Sequence, residues 1–305
     1  MLPFKLVYHP GYDLDLGQHV FPSRKYRLIR DQLLSDGFAE PNDFVEPSPA
    51  SDEEILLVHE AGWVNRLKSA NLNTAELLRL EIPYSKAMVD AFWLAAGGTI
   101  LAGRNALNDQ IGFNIGGGFH HAFPDHGEGF CAIHDVAVAI RALQREGLIG
   151  RALVVDCDVH HGNGTAAIFA GDSSVLTVSL HQFHNYPSEK PPSTIDVHLR
   201  DGVGDEEYLD RLRGALTLAM SFAPELLSYV AGADPYAGDQ LGGLALTIEG
   251  LKQRDTLVLE TALMQKVPVA VTLAGGYARD TRDTVTIHCN TVKAAASVMQ
   301  NQSSK

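Results

Sequence analysis

Two apolar rhythms run along this chain. From residue 111 onward, short β-branched runs alternate with longer stretches whose apolar positions recur every three or four residues. The runs 111–115, 152–155, 175–180, 226–231 and 267–273 are predicted strands. Between and after them the spacing predicts helices over 133–146, 165–170, 206–222, 248–265 and 280–299, with a long loop from 180 to Gly204. Ahead of this beat, 4–8 reads as a short strand, and Ser23 caps a helix to about Ser35 that Gly37 ends. Residues 41–49 read as a turn-rich connector, Ser51 and Glu54 have capping-box spacing, and helices are predicted over 61–70 and 85–106. In the last of these, Gly97-Gly98 is expected to admit another element closely.

Continuous apolar strands alternating with helices predict a parallel sheet covered on both faces and joined by right-handed crossovers. The expectation is an α/β fold of one domain over 1–300, followed by a polar tail, 301–305.

Composition narrows the functions more than the fold. The 305 residues carry 37 acidic groups against 24 Lys and Arg, a net charge of −13. Without a basic surface to release counterions, a nucleic acid is not an expected partner. No apolar run is long enough to span a membrane. Cys131, Cys157 and Cys289 form no CxxC pair and no even framework, which fits a reducing, cytoplasmic compartment.

The chemistry gathers where strands end. After the apolar run 153–155 come Asp156, Cys157, Asp158, Val159, His160, His161, Gly162, Asn163 and Gly164. A capped turn, with Asp156 and Asn163 holding backbone amides, is one reading of this stretch. The other is a metal site, since a carboxylate and an imidazole two apart share a face of an extended strand end and suit a divalent ion. Three further strands exit into Gly116-Gly117-Gly118-Phe119-His120-His121, into Gly232-Ala233-Asp234, and into Ala274-Gly275-Gly276-Tyr277. Ligands of parallel sheets bind beyond the carboxyl ends of the strands. Taken together, the exits favour a three-ligand site of Asp158, His160 and Asp234 with one tetrahedral position open, as in catalytic zinc sites. His120 and His121 would handle protons, and the Tyr277 hydroxyl would donate to an oxyanion.

In order, Gly116–His121, Gly129-Phe130-Cys131, Asp156–His160, Gly162-Asn163-Gly164, Gly232–Asp234 with Gly238–Gly243, and Gly275-Gly276-Tyr277 resemble the zinc-dependent histone deacetylases of the arginase–deacetylase fold, most closely class IV. The resemblance implies a central parallel sheet flanked by helices and a Zn²⁺ held by Asp158, His160 and Asp234. It implies His120 bonded to Asp156, His121 as general base and acid oriented by Asn163, and Tyr277 as the transition-state hydroxyl. Many deacetylases have Asp where this chain has Asn163, so His121 is expected to lack a full carboxylate partner and to have a lower pKa. Phe130 and Tyr186 resemble the walls of an acyl-lysine tunnel, Gly129 its floor, and Phe21 a contact for acyl chains. Asp156, Asp158, His160, Ser179 and Leu180 match the family's inner monovalent-cation site, with K⁺ expected.

The implied reaction is hydrolysis of an acylated amine, on an acylated lysine peptide or an acylated small amine. Residues 71–84 form a short connection with little room for a lid, which favours a peptide and tolerance of long acyl chains over an acetylpolyamine amidohydrolase. A two-manganese ureohydrolase would need bridging ligands that this chain lacks at the Gly116–Gly118 and Asp234 exits. A metalloprotein that only binds acyl-lysine would not need the His120, His121 and Tyr277 set.

Overall fold

The computed structural model describes residues 1–303. Eight parallel strands form one sheet: β1 (Leu6–Val7), β2 (Phe44–Val45), β3 (Ile111–Asn114), β4 (Ala152–Asp156), β5 (Val175–Gln182), β6 (Ile195–Leu199), β7 (Leu226–Val230) and β8 (Val269–Thr272). Their order is β2-β1-β3-β8-β7-β4-β5-β6, and helices pack on both faces. The register lines the strand ends up in one row, pairing Asn114 with Thr272, Thr272 with Val230, Val230 with Asp156, and Asp156 with Ser179. The four strands whose exits carry the candidate chemistry, β3, β8, β7 and β4, are therefore neighbours in the middle of the sheet.

The apolar runs bury as predicted: every residue of β3, β4, β7 and β8 is inside. The 24-residue helix Lys86–Asp109 lies directly on this core. At Gly97 a Cβ would come within 2.0 Å of the Ser48 carbonyl oxygen, so the glycine lets residues 48–50 run against the helix. The Ala50 N–H donates to Trp93 O there at 2.9 Å.

Three elements depart from the reading of the sequence. The two-residue β2 sits in the connector 41–49, and β6 in the loop expected to reach Gly204; both are edge strands. Apart from the buried Leu199, their residues are half-buried or, at His198, exposed, so neither shows a continuous apolar run. Within 71–84, Thr74–Leu80 is a helix started by a capping box between Asn73 and Glu76. The closing helix, Thr281–Ser303, runs on into the expected tail, of which residues 304 and 305 lie outside the described residues.

Candidate active site

β4 ends at Asp156, and the turn beyond it presents Asp158 and His160. Asp158 Oδ1 accepts the His160 backbone N–H at 3.0 Å and lies 2.9 Å from His160 Nδ1. Its Oδ2 accepts the Gly275 N–H from the β8 exit at 3.0 Å. From the β7 exit, Asp234 Oδ1 accepts the Val159 N–H at 2.9 Å, while Oδ2 has no hydrogen-bond partner and lies 3.5 Å from His160 Nδ1. A Cβ at Gly275 would press to 2.1 Å from that orphaned oxygen, so only glycine lets the β8 exit close on the two acids. Two ligands of a tetrahedral ion with bonds near 2.0 Å sit about 3.3 Å apart, so these three atoms have the spacing of a ligand set. Asp158, His160 and Asp234 could hold a divalent metal ion. Burial and the nearby Asp158 push Asp234 up to about 7, whereas Asp158, against the same burial, is drawn well below the usual carboxylate range by His120 and His160.

The glycines after β3 turn the chain so that His120 and His121 face the same point. His120 Nδ1 is 2.6 Å from Asp156 Oδ2; burial disfavours its charge, but Asp156 and Asp158 overcome that and raise it to about 9. His121 Nδ1 is 2.7 Å from Asn163 Oδ1, and Asn163 Nδ2 donates to Glu128 Oε1 at 2.5 Å. An ionised Glu128 can only accept, which fixes the amide with its NH₂ toward Glu128 and its carbonyl toward His121. Nδ1 of His121 then carries the proton, and Nε2 is free to act as a base. Burial, followed by the charges of His120 and His160, holds His121 well below the usual imidazole range. Asn163 opens the helix Asn163–Ile168, two residues earlier than the periodicity predicts, because Gly162 serves as its N-cap.

A cavity of about 170 Å³ leads to these groups, lined by Glu81, His121, Gly129, Phe130, His160, Asn185, Tyr186, Leu241 and Tyr277. Gly129, at φ +53°, fits between His121 and Tyr186, each 2.8 Å from where its Cβ would be. The Phe130 ring centre is 6.0 Å from that of Tyr277, and Phe21 is 6.3 Å from Tyr277. Burial, with Asp158 and Asp234 close by, raises the Tyr277 pKa and so keeps its hydroxyl protonated as a donor. Phe21 lines not the cavity but the small space below it, of about 20 Å³, together with His120, Asp158 and Tyr277.

A histone deacetylase domain model matches residues 19–292. This chain belongs to the histone deacetylase family. It is 41% identical to an uncharacterized protein of Picosynechococcus sp. over 97% of this chain and 99% of that one. It is 33% identical to histone deacetylase 2 of Arabidopsis thaliana over 89% of this chain and 74% of the relative. Its fold superposes on an HDAC homolog from Aquifex aeolicus with a TM-score of 0.82 at 25% identity, covering 95% of this chain and 83% of that structure. The arginase–deacetylase fold and a deacetylase-type hydrolase follow. Among the described residues, no helix is long and apolar enough to cross a membrane.

Within this histone deacetylase framework, buried charges with no role assigned from the sequence, Asp239 of the Gly238–Gly243 motif among them, pin each loop of the site. Asp135 accepts the N–H groups of Gly118 and Phe119 at 2.9 and 2.8 Å. Arg254, itself paired with Asp255, donates to Cys157 O at 3.3 Å and Gly232 O at 2.6 Å, tying the β4 exit to the β7 exit. Lys25 donates to Ala274 O at 2.6 Å, and Asp239 accepts the Tyr277 N–H at 2.6 Å. Glu128 was also missed, although it directly precedes Gly129-Phe130-Cys131. The short connection 71–84, expected to leave little room for a lid, holds a helix of its own. Its helix lies against the tunnel, where Arg79 O and Leu80 O accept the N–H groups of Gly129 and Phe130, and Glu81 stands at the mouth.

Proposed function

We propose that this protein is a zinc-dependent acyl-lysine deacetylase acting through one domain spanning residues 1–300. The observation that carries the proposal is the convergence of Asp158 Oδ1, His160 Nδ1 and the unpartnered Asp234 Oδ2 beside two imidazoles and a tyrosine around one cavity. A zinc ion on those three side chains would polarise the scissile carbonyl and make a water acidic enough to attack. His121 Nε2 takes the proton from the attacking water and delivers it to the leaving amine. Asn163 and Glu128 keep its Nδ1 protonated throughout. His120, held by Asp156, stands behind the attacking water, and the Tyr277 hydroxyl donates to the carbonyl oxygen as charge builds there. Loss of one such donor costs about 100–1,000-fold in kcat. Gly129, Phe130 and Tyr186 flank the lysine stem.

The proposal includes an inner K⁺ at Asp156, Asp158, His160, Ser179 and Leu180. It is supported by the pairing of Asp156 with Ser179 across β4 and β5 and by the oxygen-rich donor set. A cytoplasmic setting is supported by three buried thiols, none of them in a disulfide.

Acyl length follows from space. The floor below the cavity offers about 20 Å³, and the apolar chamber beyond Phe21 and Phe119 a further 20 Å³ or so, each room for about one water-sized group. These spaces match the methyl of an acetyl group, while the long chains expected from the class IV resemblance would need Phe21, Phe119 and Gly117, which line both spaces, to give way. A second reading, an acetylpolyamine amidohydrolase, is favoured by the Glu81 carboxylate at the mouth, which suits a cationic substrate. The test compares kcat/KM for acetyl-lysine peptides, long-chain acyl-lysine peptides, acetylputrescine and acetylspermidine. A preference for the polyamines would overturn the lysine assignment. No acetate release from any substrate by the zinc-loaded protein would overturn the activity itself.

A further inference from the structure

A second cluster of metal-ligating side chains lies outside the site described above, at the β5–β6 edge of the sheet. One potential ligand atom from each of His161, His181 and Asp196 lies within 4.8 Å of the other two. His161 Nε2 is 3.2 Å from Asp196 Oδ1, and His181 Nε2 is 2.9 Å from Nδ1 of a fourth candidate, His198. These separations resemble the roughly 3.3 Å between ligands of one tetrahedral ion.

We propose that His161, His181 and Asp196, completed by His198, form a second zinc site distinct from Asp158, His160 and Asp234. The fully buried His161 turns Nε2 toward Asp196, leaving Nδ1 on the other side of the ring without a partner, so the ring is aimed into the cluster by Nε2 alone. Two ligands already have the outer partners that orient metal-binding groups. Ser179 Oγ is 3.0 Å from His181 Nδ1, and the Ser193 N–H donates to Asp196 Oδ2 at 3.0 Å. Three imidazoles and one carboxylate suit zinc better than a hard cation such as calcium. Entry from solvent is through β6, where His198 is exposed and the Asp196 side chain is 18% accessible. The position suggests bracing: His161 belongs to the β4 exit, His181 to β5, and Asp196 and His198 to the edge strand β6.

This assignment does not depend on the deacetylase reading, and its test reads metal content rather than turnover. Protein equilibrated in zinc-buffered solution and analysed by mass spectrometry of its metals should hold about two zinc ions per chain. The Asp196→Asn/His198→Ala variant should hold about one and keep wild-type acetate release, whereas Asp234→Ala should keep the edge-site zinc. A wild-type chain that holds one zinc, or a double variant that still holds two, would overturn the proposal. Should the double variant fail to fold, anomalous scattering at the zinc edge from wild-type crystals decides: a peak among His161, His181 and Asp196 supports the site, and its absence refutes it.

Discussion

Replacing Asn163 by Asp is the most informative single change, because its effect depends on a group two bonds further out. At position 163 a carboxylate would sit 2.7 Å from His121 Nδ1. Unit charges about 4 Å apart attract by roughly 4 kcal/mol at an effective dielectric near 20. At 1.36 kcal/mol per pKa unit that is about 3 units, and carboxylate partners typically shift a neighbour by about 1–3. The new carboxylate would, however, also face Glu128 Oε1, now 2.5 Å from the Asn163 amide nitrogen. Two acids at that distance, one buried and one half-buried, share a proton, which removes most of the charge offered to His121. Asn163→Asp alone should therefore move the acidic limb of kcat/KM upward by less than about one unit. Adding Glu128→Gln supplies an amide donor in place of the second acid and should raise the limb by about 1–3 units. The sign follows from the neutral imidazole being the working base: a higher His121 pKa needs a higher pH for activity. The assay is kcat/KM against pH for the wild type and both variants with one acetyl-lysine peptide. The reasoning fails if the double variant, folded and active, keeps the wild-type limb, or if the single variant shifts as far as the double.

Tyr277→Phe should lower kcat about 100–1,000-fold with little change in KM, measured by steady-state kinetics, since its hydroxyl acts on the developing oxyanion. Asp158→Ala or Asp234→Ala, or treatment with a chelator, should abolish acetate release, and readdition of zinc should restore only the chelated wild type. Arg254→Met would leave the fully buried Asp255 without its cation, so denaturant titration should show a loss of about 3–5 kcal/mol. His59, pushed down to about 4 by burial, accepts the His134 N–H and must stay neutral. Between about pH 6.5 and 4 the unfolded chain binds the extra proton, so stability is full above that window and falls across it by up to about 3 kcal/mol. His59→Gln should flatten that part of the stability–pH curve, and an unchanged slope would assign the titration elsewhere.

The central strands and the metal-type residues were legible because both leave local marks. A buried parallel strand must be continuously apolar, and the groups at its end must be polar, so β3, β4, β7 and β8 and their exits stand out. The missed elements leave fainter marks. Ile195-Asp196-Val197-His198-Leu199 alternates apolar and polar side chains between its two faces and so shows no continuous apolar run, and it lies in a stretch rich in proline and serine. The helix Thr74–Leu80 did announce itself, through Asn73 and Glu76, but only at its first turn. The pinning charges were illegible for a different reason. Lys25 and Asp239 are 214 positions apart in the chain, and nothing local to either shows that both hold the loop after β8. Asn163 was recognised as the partner of His121, but the Glu128 contact that sets its orientation spans 35 residues.

The place of β8 bears on how the molecule is made. β3 has no ladder to β7; the two are joined only through β8, which bonds to both. β8 is also the last of these eight strands in chain order. Until it emerges, β1 to β3 and β4 to β7 share no ladder of the sheet and meet through helix packing, Lys86–Asp109 against Asp135–Arg145. Each set then exposes an apolar strand, β3 or β7, along an unpaired edge, the kind of surface that invites aggregation. A ribosome stalled before residue 269 should leave the β3 and β7 edges open to protease, and release of the closing segment should protect both in one late, slow step, as long-range pairing requires.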